Sequence, residues 1–432
     1  MKEDFLHYLW RTKQFDLRAL TTTQGAPINI HTFGLHNQNA GPDFLDARVS
    51  IGNVLWAGNI EMHLKASDWL LHKHQNDRSY DNVVLHVVYE EDRPICYPNG
   101  HRIPCLELKG RIPPGLSKRY QRLQGNAQWV ACEYQLSEVP KITRNLWLDR
   151  MMIDRLEAKT ALMAQVLAEL KGDWEEVFHR FLASGFGLYV NRAVFEQLAR
   201  IVPLSLLRKY RHSLLQVEAL LFGQAGFLEA DWNDKHPVKL KRTYQALRQK
   251  HQLVPLSMSS WKFSRMRPAG FPSVRIAQFA GLVFQSEHLF SKMLAAKNIQ
   301  EIENAFDFSV SKYWQCHYRF DQESIKQSKK LGRDMIRRLI INVIAPILFL
   351  YGKQRSEDQY KDLALHFLGA LPPESNRELR QWKSVGIKTH SALRSQALLQ
   401  LKKSYCDKKR CMECAIGHSV LKMGKHQELG IR

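Results

Sequence analysis

The sequence predicts an α+β protein, in which an N-terminal mixed α/β domain precedes a larger all-helical domain. Residues 47–65 alternate between apolar and polar side chains and residues 83–89 form a compact apolar run, as β-strands do. From Pro140 onward, apolar residues recur at helical spacing instead. A chain of 432 residues is long enough for two or three domains. The expected domains are an α/β domain over 1–135, a basic helical domain over 136–400 and a cysteine-rich helical segment over 401–432.

Each element of the α/β domain has its own local pattern. A stripe of apolar residues at helical spacing marks the first helix, and alternation or β-branched residues mark the strands. A polar stretch between two of the strands has room for a short helix. In chain order, the predicted elements are a helix over 1–20, strand-like runs over 27–35 and 47–65, the short helix over 68–81, and strands over 83–89 and 102–108.

The rest of the chain has a helical pattern with glycine-containing breaks. Its longest apolar run, Leu339–Tyr351, is about 13 residues long and contains Asn342 and Pro346, whereas ~20 residues are needed to span a bilayer. We predict a buried helix there and no membrane segment. The first residues, MKEDFLHYLW, contain acids and no long apolar core, unlike a signal peptide, so we expect a cytoplasmic protein.

Positive charge is concentrated outside the α/β domain. The chain has 63 Lys and Arg against 42 Asp and Glu, a formal net charge of +21. Residues 1–135 hold 15 basic and 14 acidic side chains, which leaves 48 basic and 28 acidic side chains beyond them. A basic body beside a balanced α/β domain suits a polyanion that one part holds and the other acts on. We therefore expect DNA or RNA as the partner, and a basic scaffold near the ribosome is the alternative.

Two basic stretches are the candidate nucleic-acid-binding surface. Residues 235–251 are dense in lysine and arginine, and residues 261–275 interleave arginines with aromatic side chains. Cations would contact phosphates and aromatic rings would stack on bases. Alternatively, the arginines cap helices and the aromatic residues anchor a loop. The residues predicted to bind nucleic acid are Lys239, Lys241, Arg242, Arg265, Arg267 and Arg275.

Acids, imidazoles and an ammonium group are gathered in residues 36–90. On a strand around residue 60, alternation places Glu61, His63 and Lys65 on one face, which we expect to look at water, a metal or a ligand. Asp43 lies just before the preceding strand, with Asp46 three residues later. Two carboxylates from separate strands beside a basic group suit metal-assisted phosphodiester cleavage, because carboxylates bind hard divalent cations.

This segment resembles the catalytic core of the PD-(D/E)XK nuclease superfamily. The pattern of that superfamily is Pro-Asp, a spacer and acid-any-Lys on the next strand, followed by a helix and a strand. Pro42-Asp43 matches the first half, and Glu61-Met62-His63 matches the second with His63 at the usual position of the lysine.

The resemblance implies roles for five residues. Asp43 and Glu61 would hold Mg²⁺ or Mn²⁺, with Asp46 as a candidate further ligand. His63, or Lys65 one step along the same face, would orient the attacking water. The basic helical domain would then hold the nucleic acid.

Two alternatives stay open for this segment. Gly41-Pro42-Asp43 is also an ordinary turn sequence, and Glu61 with Lys65 can form an exposed ion pair, which would leave a non-catalytic binding or assembly protein. The other alternative is a different metal-dependent chemistry, because histidine is a common ligand of transition metals. The residues that favour it are His72, His74, Asp77 and His86.

The C-terminal sequence YCDKKRCMECAIGHSVL is a second candidate metal site. It has cysteines at the spacing C-x4-C-x2-C and a histidine shortly after them. A Zn²⁺ ion in a Cys3His site is the simplest interpretation. The alternatives are an iron–sulfur cluster with a distant fourth ligand such as Cys132 or Cys316, and thiols that only pack against apolar neighbours. The clustered candidate ligands are Cys406, Cys411, Cys414 and His418.

The order of several segments resembles a bacterial family known only as domain of unknown function 2851. These segments are NAGPDFLDARV, LLFGQAGFL, RMRPAGFPSVRIAQFA and the terminal CMECAIG. The resemblance extends over nearly the whole chain and implies no activity. The chemistry therefore depends on the residues named above.

Overall fold

The structure is a computed structural model that describes residues 1–37 and 39–423. The chain forms two compact units. The first unit carries a mixed β-sheet and the second is helical apart from a two-stranded ribbon, which confirms the predicted α+β class. The cysteine-rich C-terminal segment lies in the same unit as the sheet. The first unit comprises residues 1–148, 381–387 and the described residues from 399 onward, and the second comprises residues 149–380 and 388–398.

A six-stranded sheet forms the centre of the first unit. Its strands are Ile28–Thr32 (β1), Leu35–His36 (β2), Phe44–Ile51 (β3), Val54–Lys65 (β4), Val83–Glu90 (β5) and Cys105–Glu107 (β6). Their order is β1-β3-β4-β5-β6, with β2 paired to β3. β3 is antiparallel to β1 and β4, whereas β4, β5 and β6 run parallel. The ribbon of the second unit pairs His317–Arg319 (β7) with Gln322–Glu323 (β8).

The sequence pattern accounts for the central strands. β5 is apolar from Val83 to Tyr89 apart from His86, as expected of a strand that is covered on both faces, and it ends at Glu90. β4 comes very close to the turn before β5 at Gly58, where a Cβ atom would lie 2.5 Å from the Asn82 carbonyl oxygen. Only glycine fits this approach, so the start of the parallel pair depends on the absence of a side chain.

The polar face of β4, which was expected to look at water, a metal or a ligand, is covered by protein at two of its three residues. Glu61 is 4 % exposed and His63 is 1 % exposed. The helix Glu3–Thr12 (α1) packs against β4, and the short helix Asp68–Leu71 (α2) folds back on it directly after the strand. Glu61 and His63 are therefore buried between elements of the first unit, whereas Lys65 at the end of the strand is exposed.

Helices form most of the second unit and also complete the first unit. The basic stretch predicted over residues 235–251 is one continuous helix with the same bounds. The further α-helices are Pro114–Gly125 (α3), Lys141–Glu169 (α4), Trp174–Phe186 (α5), Arg192–Ile201 (α6), Leu204–Tyr210 (α7), Leu214–Gln224 (α8), Lys235–His251 (α9), Pro272–Gln285 (α10), Leu289–Ala295 (α11), Ile299–Ala305 (α12), Lys312–Gln315 (α13), Arg333–Leu339 (α14), Ala345–Arg355 (α15), Asp358–Ala370 (α16), Arg377–Ser384 (α17), Ala392–Leu401 (α18) and Ala415–Lys422 (α19). Short 3₁₀ helices span His74–Asn76, Arg78–Tyr80, Glu133–Gln135, Met258–Ser260, Pro268–Gly270 and Cys411–Glu413, and π-helical turns span Ile340–Ile344 and Lys402–Cys406.

One helical stretch in the described part of the chain, Arg333–Arg355, is long and apolar enough to cross a membrane by composition. It consists of α14, a π-helical turn and α15. Of its most apolar window, 78 % is buried inside the protein. It is therefore the buried helix that the sequence predicts around Leu339–Tyr351.

Candidate active site

A short loop ahead of β3 fixes the position of Asp43. The backbone N–H of Asn37 donates to the Asp43 carbonyl oxygen at 2.8 Å, and the side-chain amide of Asn37 donates to the Pro42 carbonyl oxygen at 3.0 Å. Gly41 has a φ of +101°, a backbone conformation that glycine adopts readily. The predicted turn is thus a tight loop, and it sets the Asp43 carboxyl group against β4.

Asp43 and Glu61 hold each other through reciprocal hydrogen bonds. The backbone N–H of Asp43 donates to Oε2 of Glu61 at 3.1 Å, and the backbone N–H of Met62 donates to Oδ2 of Asp43 at 2.9 Å. Nε2 of His7, from α1, lies 3.1 Å from the same Oδ2. The two predicted acids are therefore brought together, each fixed by the strand that carries the other.

This arrangement shifts the protonation equilibria of its members. Burial and the neighbouring Asp43 carboxylate raise the pKa of Glu61 to about 9. Burial alone would lower the pKa of His7, but its contact with Asp43 and the acids nearby leave that pKa raised. Two carboxylates that share a dry site repel each other, and a bound cation would remove that cost.

A cluster of four histidines adjoins Glu61. His63 Nδ1 lies 2.9 Å from Nε2 of His86 on β5, and His63 Nε2 lies 3.1 Å from Nδ1 of His72. Oε1 of Glu61 lies 3.6 Å from His63 Nε2 and 3.3 Å from His74 Nε2. The ligand nitrogens of His63, His72 and His74 are all within 4.8 Å of one another, so these side chains form one polar cluster.

The segment after β4 brings the last two histidines of the cluster into place. α2 ends at His72, and Lys73 follows with a left-handed φ of 62°, which reverses the chain toward the 3₁₀ turn that begins at His74. The His74 ring stacks on Tyr80 with centroids 3.8 Å apart, and Trp69 contacts it edge-on. Aromatic side chains therefore form the wall of the cluster.

Burial keeps the inner histidines neutral. It is the largest cause, ahead of the charges of the other histidines, that lowers the pKa of His63 to about 2. Burial likewise lowers the pKa of His86 to about 3. Neutral imidazole is the form that binds metal ions.

Asp46 and Lys65 lie at the edge of this arrangement. Asp46 is exposed, and it sits in a β-bulge of β3 with a left-handed φ of 59°. Aspartate tolerates that conformation better than most residues. Lys65 is exposed at the end of β4, where its charge helps to lower the pKa of Asp92.

A basic cleft of about 200 Å³ in the first unit adjoins the carboxylate pair through His7. Its walls come from α1 and from the loop between Cys406 and Cys411. That loop is anchored, because Lys409 Nζ donates to the Gln124 carbonyl oxygen at 3.0 Å. The cations that line the cleft outnumber its acids, Asp4 and Glu413, and they are Lys2, Arg11, Lys408, Lys409 and Arg410.

The residues predicted to bind nucleic acid lie in the second unit, in different surroundings. Lys239 and Arg242 are exposed on α9, and Lys241 pairs with Asp231 at 2.7 Å. Arg275 is mostly buried on α10 and donates to Gln278 Oε1 at 2.9 Å, and burial lowers its pKa to about 10. Arg265 and Arg267 are exposed in the loop ahead of α10.

Four cysteines gather at the other candidate metal site. Cys132, which follows α3, lies close enough to Cys406, Cys411 and Cys414 that every pair among the four interacts electrostatically. Burial is the main cause that raises the pKa of Cys132 to about 12. The Cys414 thiol accepts the backbone N–H groups of Ile416 and Gly417 at the start of α19.

The two other predicted ligands of that site lie elsewhere. His418 Nε2 is 2.5 Å from the Met412 carbonyl oxygen, and the His418 ring packs 4.9 Å from Tyr8. Cys316 belongs to the second unit. The structure thus brings Cys132 to the C-terminal cysteines and turns His418 toward the backbone.

No local sequence pattern marks His7 or the lysines of the cleft as functional residues. His7 lies in the amphipathic pattern of α1, and nothing local distinguishes it from a surface histidine. Lys408 and Lys409 were visible only as neighbours of cysteines. A histidine three positions after the acidic Asp4, on a helix predicted to precede the sheet, is a weak signal at best.

The fold and the site define an α+β protein with buried carboxylates and histidines beside a basic cleft. The chain matches the family model described as "Protein of unknown function (DUF2851)" over residues 3–377, and it belongs to that family. No curated protein and no solved structure matches the chain.

Proposed function

We propose that this protein is a metal-dependent nuclease that hydrolyses phosphodiester bonds at the Asp43–Glu61 pair. The observation that carries the proposal is the reciprocal fixing of these two carboxyl groups by backbone N–H groups of neighbouring strands. Glu61 is buried and Asp43 is partly buried beside it, and a bound divalent cation would offset the cost of holding the two charges together.

The order of elements supports the resemblance to the PD-(D/E)XK superfamily. α1 precedes the sheet, Asp43 begins β3, Glu61 and His63 lie on β4, and α2 leads into the parallel strand β5. Helix-then-strand after the acidic strand is the order that the superfamily pattern requires. This chain departs from the superfamily pattern at His63, which stands at the position of the basic lysine, whereas both acids of the pattern are present.

The basic cleft supplies a route for the substrate. A nucleic acid is a polyanion, and cations on α1 and on the loop between Cys406 and Cys411 can neutralise its phosphates. His7 lies at the junction, since it lines the cleft and also contacts Asp43. A phosphate that enters along the cleft would therefore arrive at the carboxylate pair.

In the proposed reaction, a water oxygen forms a bond to phosphorus and the bond from phosphorus to one sugar oxygen breaks. Asp43 and Glu61 would hold Mg²⁺ or Mn²⁺, which lowers the pKa of bound water and neutralises charge on the phosphate. The backbone N–H of Met62 keeps the Asp43 carboxylate oriented during the reaction. The proton released by water leaves through solvent or to the departing oxygen.

The test is cleavage of plasmid DNA and of labelled DNA and RNA oligonucleotides with Mg²⁺ or Mn²⁺. Wild type should cut, and Glu61→Gln, which keeps the shape of the side chain, should lose the activity. Glu90→Gln on β5 is the matched control and should keep full activity, because Glu90 forms its ion pair with the exposed Lys109 among the residues that the structure describes. No cutting by wild type, with salt-sensitive binding retained, would favour the non-catalytic nucleic-acid-binding or assembly protein.

We also propose that the four cysteines hold a structural Zn²⁺ or iron–sulfur centre, with Cys132 in place of His418 as fourth ligand. The support is the grouping of Cys132 with the C-x4-C-x2-C cysteines in one buried place. Such a centre would join the loop after α3 to the C-terminal segment, and so fix the loop that lines the basic cleft.

Metal analysis and the visible spectrum of the purified protein test this centre. Cys132→Ser should lose the bound metal, whereas His418→Gln and Cys316→Ser should retain it. Loss in His418→Gln and retention in Cys132→Ser would restore the Cys3His interpretation. An absorption near 400 nm would indicate iron–sulfur, and its absence with bound zinc would indicate Zn²⁺.

We infer a cytoplasmic location as part of this proposal. All seven cysteines are free thiols, which suits a reducing compartment. The apolar stretch around Leu339–Tyr351 is mostly buried, as in a soluble protein.

A further inference from the structure

The histidine cluster has the arrangement of a metal centre, separate from the Mg²⁺ or Mn²⁺ position proposed between Asp43 and Glu61. We propose that His63, His72, His74 and Glu61 bind one transition-metal ion of the zinc class. The donor atoms are Nε2 of His63, Nδ1 of His72, Nε2 of His74 and Oε1 of Glu61.

The distances between donors fit a single ion. For metal–ligand bonds of about 2.0–2.2 Å, neighbouring ligand atoms of a tetrahedral centre lie about 3.3–3.6 Å apart. The observed separations are 3.1 Å for His63 and His72, 3.3 Å for His74 and Glu61, and 3.6 Å for His63 and Glu61. The three imidazole nitrogens therefore lie within 4.8 Å of one another, and Glu61 Oε1 adjoins two of them.

The orientation of the donors distinguishes this cluster from an ordinary hydrogen-bond network. Nε2 of His74 is buried and, in the part of the chain that the structure describes, has no hydrogen-bond partner, although Glu61 Oε1 is 3.3 Å away. A short distance with a poor hydrogen-bond angle arises when the lone pairs of both atoms point at a common position and not at each other. A buried polar atom without a partner is costly, and a metal ion would satisfy it.

His86 would be the orienting residue of the centre. Its Nε2 lies 2.9 Å from His63 Nδ1, so it can accept the N–H of His63 and direct Nε2 of that ring toward the ion. Ligating histidines almost always have such a partner on the second ring nitrogen. His86 itself is 1 % exposed, which keeps this contact free of water.

The donor set selects the class of ion. Three imidazoles and one carboxylate suit Zn²⁺, Co²⁺, Mn²⁺ or Fe²⁺, whereas Mg²⁺ takes oxygen ligands. His72 is exposed, so one side of the centre opens to solvent and can admit water or a phosphate oxygen. With four protein donors in place, a water or phosphate oxygen would enter as a fifth ligand, an expansion that catalytic zinc centres undergo.

The inference deepens the proposed function, and it rests on that function only for the role of the ion in cleavage. Oε2 of Glu61 faces Asp43 and Oε1 faces the histidines. Glu61 would therefore bridge two ions, an arrangement that clamps both the attacking and the leaving oxygen of a phosphodiester. His63 then holds the ion instead of orienting the water directly.

The test uses the full chain, freed of metal by a chelator and titrated with Co²⁺, whose visible spectrum reports its ligands and geometry. We expect one equivalent with the spectrum of nitrogen and oxygen ligands, displaced by one equivalent of Zn²⁺. His72→Ala and His74→Ala should each weaken this binding at least about tenfold. His101→Ala, which removes an exposed histidine outside the cluster, should bind as wild type does.

Several outcomes separate this inference from the other proposals. Co²⁺ bound by the cysteines gives intense thiolate bands in the near ultraviolet, so it is not mistaken for the histidine centre. Folded His72→Ala and His74→Ala variants, checked by circular dichroism, that bind Co²⁺ like wild type would overturn the inference. Cleavage with Mg²⁺ but without the Co²⁺ spectrum would overturn it and leave the nuclease proposal intact. The Co²⁺ spectrum without any cleavage would support it and remove the nuclease proposal.

Discussion

Two basic regions of the molecule differ in what their positive charges do. In the second unit, α9 is densely basic, but Lys241 pairs with Asp231 and Arg248 pairs with Glu229. In the first unit, the cations of the cleft share one concave space and reach the buried acids through His7. Arg410 of the cleft also pairs with Glu413, so the two regions differ in the placement of their cations and not simply in how many are paired.

The difference shows that the number of basic residues does not identify a binding surface. A helix face with exposed lysines is favourable for solubility and for weak, unspecific attraction of polyanions. A cleft adds shape, because its charges act on the same phosphate group from two sides. Placement beside the Asp43–Glu61 pair is the property that sequence composition could not reveal.

The largest expected effect is on catalysis at the end of the cleft. Asp43→Asn keeps an oxygen that can accept the Met62 N–H but removes the charge that attracts a cation. We expect cleavage to fall at least about 100-fold, which corresponds to a few kcal/mol of lost stabilisation of the transition state. Rates measured with a labelled oligonucleotide check it, with the exposed Asp81→Asn as the matched control. Full activity in Asp43→Asn would show that the Asp43 carboxylate, at the end of the cleft, is not part of the reacting centre.

The next effect separates the two basic regions directly. In the Asp43→Asn background, which prevents cutting, Lys408→Ala with Lys409→Ala should weaken oligonucleotide binding about tenfold. Each lost phosphate contact should also reduce the salt dependence of binding by about one unit of slope. The measurement is fluorescence anisotropy at several salt concentrations.

The matched variant removes two exposed cations from α9. Lys239→Ala with Arg242→Ala should change the dissociation constant less than about threefold, since these side chains lie on a convex helix surface. A larger loss there than in the cleft would reverse the comparison and return the binding surface to the second unit.

A smaller effect concerns a cation inside the second unit. Arg275 is mostly buried, its Nε has no hydrogen-bond partner among the described residues, and burial lowers its pKa. Arg275→Met removes a desolvated charge and keeps most of the volume, so the free energy of unfolding should stay the same or rise by about 1 kcal/mol. Urea denaturation measures it, and a loss of more than about 2 kcal/mol would show that the guanidinium is a structural anchor. Oligonucleotide binding should not change.

The last effect is a pH dependence of the free energy of unfolding. Burial lowers the pKa of Lys159 to about 7, while its Nζ donates to Asn342 Oδ1 at 2.7 Å. Between pH 7 and 10 the unfolded chain binds more protons than the folded one, so this lysine makes stability rise with pH. The free energy of unfolding, measured by urea denaturation, should therefore be higher in Lys159→Met than in wild type, and this difference should be larger near pH 7 than near pH 9. That advantage should shrink by at most about 1.4 kcal/mol per pH unit on the way to pH 9. An advantage that is constant with pH would mean that the amine remains charged throughout.

The strands and helices were predictable because their patterns are local. Alternation around residue 60 placed Glu61 and His63 on one face of a strand, and the bounds of α9 coincide with the basic stretch. Burial of that face was not predictable, because α1 and the segment after β4 cover it. The histidines at positions 72 and 74 were noticed as candidate ligands, but only the reversal at Lys73 places them beside His63.

Hydrophobic periodicity and turn residues in the chain were enough to establish the α+β class, the α/β character of the N-terminal part and the buried helix around Leu339–Tyr351, whereas the directions of the strands in the sheet were not predicted. The meeting of distant residues depends on tertiary packing. Lys409 reaches the carbonyl oxygen of Gln124 across 285 positions, and Cys132 joins Cys411 over a similar distance along the chain. Local patterns record which face of an element is apolar, but they do not record which partner covers it. The cleft, the placement of Cys132 rather than Cys316 beside the C-terminal cysteines, and the burial of Glu61 therefore follow from the folded chain alone.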